Sequence, residues 1–149
     1  MRELSAEDCR RLLAEGRVAH VAQNDRGVPY VTPLSYVLRD DDVVFRTAPG
    51  RRMEALQRDP RVCIEVSRAS TSGWQSVILW GTARIVDDPS FEAAVVSALV
   101  AKYHRGTVLG FTAPGGFPED RLVVAVTPEE ITGRASGEDA SEATRPGRL

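Results

Sequence analysis

The residues best placed for chemistry lie in one short stretch, Phe45-Arg46-Thr47-Ala48-Pro49-Gly50-Arg51-Arg52-Met53. A strand-like run ends there on a hydroxyl residue. A Pro-Gly turn follows, and two arginines then fall in the first turn of a helix. Cations at that end oppose the helix macrodipole, so two of them need a reason. Backbone N–H groups at a helix start point outward, and a guanidinium binds oxyanions bidentately, so an anion between Arg51 and Arg52 would supply one. The competing reading is two solvated arginines. It is an ordinary outcome in a chain where, of 19 Lys and Arg residues, only Lys102 is lysine. The pattern favours a phosphate site.

Two further stretches carry functional signals. Strand alternation in Gly73-Trp74-Gln75-Ser76-Val77-Ile78-Leu79-Trp80-Gly81 sends Trp74, Ser76, Ile78 and Trp80 to one face. Trp74 and Ser76 suit stacking on and hydrogen bonding to a planar ring; core or interface packing of the tryptophans fits the spacing equally well. In Gly27-Val28-Pro29-Tyr30-Val31-Thr32-Pro33-Leu34-Ser35-Tyr36, the two prolines place the strand at a sheet edge or beside a bulge, where free backbone meets either a ligand or only solvent. No side chain stands out as a catalytic acid or base, and the catalytic residues stay unassigned. His20 reads as packed in an apolar run. His104 reads as a surface residue at the start of a Gly/Pro/Phe loop over 104–120, whose Phe111 and Phe117 suit a lid.

The elements that position these stretches follow from punctuation. Ser5 with Glu7 and Asp8 marks a helix start, Cys9, Leu12 and Leu13 give it an apolar stripe, and Gly16 stops it. Strands are predicted over 17–23, 28–38, 43–47, 61–67, 74–86 and 121–126, the last extending toward Ile131, with a bulge at Gly81. Turns at 24–27 and 40–42 make the first three strands a meander. Helices are predicted from Gly50 to Asp59, with Met53, Leu56 and Gln57 inward, and over 90–103. From Gly133 onward the composition is small and polar, which predicts a frayed tail. The expected fold is mainly β (α+β), an antiparallel barrel of six strands with peripheral helices. One domain spans 1–135 and a flexible tail spans 136–149.

Composition bounds the function. The chain has 149 residues, 42% hydrophobic and 27% charged, with a net charge of -2, which suits a single globular domain and not a disordered one. A slightly acidic chain lacks the basic footprint of a nucleic-acid binder. Its apolar runs are too short to span a bilayer as a helix. Acidic residues near the N-terminus, where a signal peptide carries an apolar core, point to the cytoplasm. Two cysteines and two histidines argue against a protein-ligated metal. The common nucleotide-loop and hydrolase signatures are absent.

Taken in order, these pieces resemble a known family. They run from Cys9-Arg10-Arg11-Leu12-Leu13 and Gly16-Arg17-Val18-Ala19 through the 27–36 stretch, Val44-Phe45-Arg46-Thr47 and Gly50-Arg51-Arg52-Met53. They continue with Arg58 to Val66, Trp74-Gln75-Ser76-Val77, Gly81 to Val86, and Glu129-Glu130-Ile131-Thr132-Gly133-Arg134. The set, over about residues 4–135, resembles the pyridoxamine 5'-phosphate oxidase-like flavin-binding split-barrel superfamily, and within it the branch related to nitroimidazole-resistance proteins. The resemblance implies a six-stranded antiparallel split barrel that forms a homodimer with FMN at the subunit interface and acts on a small-molecule substrate, while composition argues for no nucleic acid and no membrane. It implies that Thr47, Arg51 and Arg52 hold the phosphate and that Pro33, Leu34, Ser35 and Tyr36 line the flavin ring. Trp74, Ser76 and Val77 would add contacts, often from the partner subunit. Nitroimidazole-resistance proteins tend to carry histidine where this chain has Arg46, which adds to the phosphate site or faces the flavin edge. The deazaflavin F420 is the alternative cofactor, and a non-catalytic flavin- or haem-binding module the alternative function.

Overall fold

The structure is a computed structural model that describes residues 1–103 and 121–137. The expected lid over 104–120, with His104, Phe111 and Phe117, and the tail from 138 onward lie outside the described residues.

A two-residue strand β1 (Arg2–Glu3) precedes helix α1 (Ala6–Glu15). Ser5 caps α1 as expected, its side chain accepting from the Asp8 N–H at 3.1 Å. Gly16 ends it at φ -61°, a conformation open to any residue. Space is what requires glycine there: a Cβ would overlap Val66, the Tyr36 hydroxyl and the Leu12 carbonyl. Strands β2 (Ala19–Asp25) and β3 (Val28–Leu34) form a hairpin. Its two turn residues, Arg26 and Gly27, both have positive φ, and the Asn24 side chain accepts from the Gly27 N–H. A second hairpin joins β4 (Val37–Arg39) to β5 (Asp42–Thr47) through Asp40 and Asp41, again both at positive φ. Then come α2 (Arg51–Arg58), β6 (Arg61–Ala69), β7 (Gly73–Val86), α3 (Pro89–Tyr103) and β8 (Leu122–Gly137).

The strands make one open antiparallel sheet in the order β3-β2-β6-β7-β8-β5-β4, with β1 on β8. This is the mainly β split-barrel architecture with peripheral helices that the sequence predicts. All six expected strands are present, with three differences. The expected 28–38 strand is broken at Ser35–Tyr36, so the two hairpins sit at opposite ends of the sheet order and the first strands form no continuous meander. In α2 it is Ala55, not Gln57, that joins Met53 and Leu56 inside. Strand β8 runs past Gly133 to Gly137, pairing with β7 along its whole length. The small residues that suggested a frayed end are there for close packing, since a Cβ on Gly133 would overlap Cys9 and Leu4. Pro29 and Pro33 do sit on the edge strand, and the register does shift between Trp80 and Gly81.

One core cluster lies under α1 and α2 and includes Leu12, Tyr36, Phe45, Met53, Ile64, Leu79 and Val124. A second, with Val37, Val44, Val95, Leu99 and Val123, packs α3 against the opposite face. The 43–45 stretch of β5 and the 122–126 stretch of β8 are therefore covered on both faces, and each reads as an apolar run. Among the described residues no helix is long and apolar enough to cross a membrane.

The break at Ser35–Tyr36 is clamped from three sides. The buried Tyr36 hydroxyl donates to the Leu13 carbonyl of α1 at 2.5 Å. The Tyr103 hydroxyl, at the end of α3, accepts from the Tyr36 N–H (3.1 Å) and donates to the Arg17 carbonyl (2.8 Å). Lys102 donates to the Tyr36 carbonyl (3.0 Å), with its ammonium 3.9 Å from the centre of the Tyr36 ring. Burial, reinforced by the charge of Arg17, pulls the Lys102 amine down to about 8.

That shift fixes a stability window. Below about pH 8 the amine is protonated in folded and unfolded chains alike. Between there and the ordinary lysine range near 10.4, the unfolded chain holds a proton that the folded chain has released, so this group's contribution to stability rises with pH. Burial pushes the Cys9 and Cys63 thiols up, an opposite effect in an overlapping range, so the amine is isolated by difference. In urea titrations at about pH 8 and about pH 10, wild type should gain stability relative to Lys102→Met. A constant difference between the two proteins would mean that the folded amine titrates normally.

Candidate functional site

The end of β5 and the start of α2 meet β3 across the barrel. Thr47, the last residue of β5, is fully buried on the same face as Phe45. Arg52, in the first turn of α2, reaches both strands. Its Nη1 donates to Thr47 Oγ1 at 3.1 Å, while Nε and Nη2 donate to Thr32 Oγ1 at 3.0 and 2.6 Å. Helix α2 is held in place from below, as Gln23 on β2 donates to the Arg52 carbonyl at 3.0 Å.

Arg52 is half-buried, and among the described residues no aspartate or glutamate pairs with it; its partners are two neutral hydroxyls. Burial lowers its pKa from the ordinary arginine value and nearby Arg121 adds to this, against an opposing influence of Tyr30. Among the described residues, the neutral partners of Arg52 and the second cation beside it do not offset its charge. The helix start adds to that potential. Gly50 caps α2 at φ +148° without a side-chain hydrogen bond, and the first intrahelical bond is Glu54 N–H to the Gly50 carbonyl at 2.9 Å. The N–H groups of Arg51, Arg52 and Met53 precede it in the helix, and the space a Gly50 side chain would occupy is open. Two hydroxyls, a guanidinium and a helix N-terminus form a donor set fitted to a phosphate monoester.

Arg51 behaves differently from its neighbour. Its Nε donates to Asp25 Oδ2 at 2.5 Å, and its guanidinium carbon lies 4.9 Å from the centre of the Tyr30 ring. The other oxygen of Asp25 takes Arg58 at 2.8 Å, and Arg51, then Arg58, hold the Asp25 carboxyl below the usual range. The charge of Arg51 is thus answered within the fold. Arg46 is also set apart from Thr47. Strand alternation turns it to the face of β5 that carries Val44, where it is buried opposite Val123. Thr32 completes the arginine site and escaped sequence analysis, because a lone threonine on an edge strand carries no signal until β3 and α2 are brought together.

The two stretches expected to contact a ring system divide by face. Leu34, Ser35 and Tyr36 are buried, as is Val77, so their side chains anchor the segments from inside. Pro33, Trp74 and Ser76 lie on the outer face, with Trp74 39% exposed. That face continues across four strands. Val31, Ala22, Cys63 and Trp80 form one register row; Pro33, His20, Glu65 and Ile78 form the next. His20 is therefore not the packed residue that its apolar neighbours suggest, because alternation turns it outward while Ala19 and Val21 face the core. An open groove of about 630 Å³ on this face is lined by Ala22, Asn24, Pro29, Cys63 and Trp80, among others.

Comparison with known proteins agrees with this architecture. The FAD-binding protein of Mesorhizobium loti is 26% identical, with a TM-score of 0.72 over 91% of this chain and 98% of its own. The FAD binding protein of Mycobacterium smegmatis is also 26% identical, with a TM-score of 0.64 over 91% and 99%. A candidate 5-nitroimidazole antibiotic resistance protein of Bacteroides thetaiotaomicron shares the fold at 18% identity, with a TM-score of 0.76 over 90% and 86%. A family model described as pyridoxamine 5'-phosphate oxidase matches residues 5–135, taking in β2 through β7 and nearly all of β8 with every residue of the Arg52 site. By this match the chain belongs to the pyridoxamine 5'-phosphate oxidase family.

Proposed function

We propose that this chain is a flavin-dependent oxidoreductase of a small molecule, using FMN and working as a homodimer with the cofactor at the subunit interface. The observation that carries this reading is Arg52, a half-buried guanidinium whose partners among the described residues are hydroxyls, at an open helix N-terminus. FMN ends in a single phosphate monoester, which matches that donor set in charge and size. Under this reading Arg52, Thr32 and Thr47 hold the phosphate, and Arg51 orders the helix start through Asp25. Pro33, the backbone of Ser35, Trp74 and Ser76 line the ring, while Leu34, Tyr36 and Val77 fix those segments from the core. A bound flavin supplies hydride transfer at N5, and the protein supplies binding, orientation and a dry surface.

The outer face supports the dimer. Val31, Trp74 and Trp80 are 61%, 39% and 38% exposed on it. A sheet face that exposes large apolar side chains is normally covered, and a second copy around a two-fold axis would cover it with the same face. A second reading places FAD where FMN is proposed; the names of the two relatives at 26% identity favour it.

Titration of the purified protein with FMN, FAD, F420 and haemin, followed by visible absorbance and flavin fluorescence, separates these readings. FMN should bind tightest. Removing charge-assisted hydrogen bonds by Arg52→Ala should weaken FMN by about 10- to 100-fold. Riboflavin, which lacks the phosphate, should bind wild type and variant alike. Arg51→Ala should cost less than about threefold, because that arginine belongs to Asp25. Equal affinity of wild type for FMN and riboflavin would move the phosphate elsewhere. By light scattering wild type should be a dimer and Trp80→Glu a monomer; a monomeric wild type that binds FMN fully would remove the shared site.

A further inference from the structure

Between the two outer-face stretches of the proposed site lies a polar pair. His20, on β2, is the cross-strand neighbour of Pro33 on one side and of Glu65 on the other. Its Nδ1 lies 3.0 Å from Glu65 Oε2, and Glu65 Oε1 accepts from the Ser76 hydroxyl at 3.3 Å. Glu65 thus joins β2 to β7 at the residue pair proposed to line the ring. The outward positions beside the pair are apolar on one side, Val31, Ala22 and Cys63, and along its own row, Pro33 and Ile78; on the other side lie Ser67 and Ser76. Arg134, across from Ser76 on β8, is turned away to Glu3, and among the described residues Glu65 is the charged group paired with His20.

This geometry has a chemical consequence. A carboxylate at Nδ1 holds the neutral imidazole with its proton on Nδ1 and fixes the ring plane, which leaves Nε2 as the exchanging nitrogen. Among the described residues Nε2 has no hydrogen-bond partner, and the His20 side chain is 49% exposed. A ring oriented through one nitrogen and open at the other is suited to passing a proton.

We propose that His20, oriented by Glu65, is the proton donor and acceptor of this site, an inference that rests on the flavin reading above. When a two-electron acceptor is reduced it takes a hydride, supplied by the reduced flavin, and one proton. That proton leaves Nε2 of the imidazolium as the N–H bond breaks and a bond to the acceptor's heteroatom forms. The ring remains neutral, with Nδ1–H donated to Glu65, and water restores the proton for the next turnover. In the reverse direction Nε2 accepts the substrate proton. His20 is the catalytic residue here and Glu65 the positioning residue.

Two measurements test this. The first needs no cofactor: nitrogen-15 NMR of histidine-labelled protein above neutral pH, with His20 told from His104 by the spectrum of His20→Gln. Neutral His20 should be the Nδ1–H tautomer, and Glu65→Ala should shift it toward Nε2–H; an Nε2–H tautomer in wild type would overturn the proposed orientation. The second mixes photoreduced, FMN-loaded protein with one of two acceptors in a single turnover. Menadione takes up protons as it is reduced, and ferricyanide takes electrons alone. His20→Gln should slow menadione reduction by about 100-fold or more, while ferricyanide reduction and FMN affinity stay within about twofold of wild type. Equal effects on the two acceptors, or none on menadione, would overturn the role of His20 and leave the cofactor reading intact. Failure of wild type to bind any flavin would instead remove that reading, and the role of His20 with it.

Discussion

A guanidinium taken partly out of water costs several kcal/mol unless something answers its charge, and the fold around Arg52 is organised by that cost. Its two hydroxyl partners come from strands far apart in the sheet order, Thr32 on the end strand β3 and Thr47 on β5, next to the other end. They meet at one side chain only because the open sheet curls, and α2 is the element laid across the gap. Hydroxyls orient a guanidinium without neutralising it. Among the described residues Arg52 is thus oriented by hydroxyls with no carboxylate paired to it.

The same requirement explains the break between β3 and β4. A single straight strand over 28–38 would run on past the point where β3 has to hand over to the opposite end of the sheet. Tyr36 makes the crossing stable by burying its ring, donating its hydroxyl to α1, and letting Tyr103 and Lys102 take up its backbone N–H and carbonyl. Packing here reaches close to its limit, since α1 approaches so nearly that only glycine fits at position 16. The clamp positions Pro33 and Ser35, so the proposed ring-lining segment inherits its placement from core contacts three elements away. It also puts the chain's one lysine where burial disfavours its charge.

What was legible in the sequence and what was not divides along a physical line. Local chemistry was legible: prolines that cannot sit in a central strand marked β3 as an edge, and Gly81 marked a bulge. Pairings between distant residues were not. Arg51 and Arg52 look equivalent as neighbours, and they part company only because Asp25 lies under one and Thr32 under the other. The break at Ser35–Tyr36 was hidden because its cause is a hydrogen bond to Tyr103, 67 residues further along. The extent of β8 was hidden because the small residues over 133–137 look like a tail, whereas pairing with β7 uses their backbones and their lack of bulk. His20 was misplaced for a related reason. An apolar neighbourhood in sequence says little about facing when alternate residues point to opposite sides of a sheet.

That last point bears on what the outer face is for. A sheet face meant only to meet another sheet face would do best with apolar rows throughout, because a buried polar group without a partner costs free energy. The row Val31, Ala22, Cys63 and Trp80 fits that purpose. The next row does not, since it sets a histidine and a glutamate at its centre and joins the glutamate to a serine on β7. If a second copy covers this face, those groups become half-enclosed and their hydrogen-bonding capacity must be met at the interface. The pair meets part of that need internally, Glu65 accepting from both His20 and Ser76, and leaves Nε2 of His20 over. The leftover valence tolerates enclosure only if water or a ligand reaches it. An interface that keeps such a nitrogen is one that must stay open to something polar at that point.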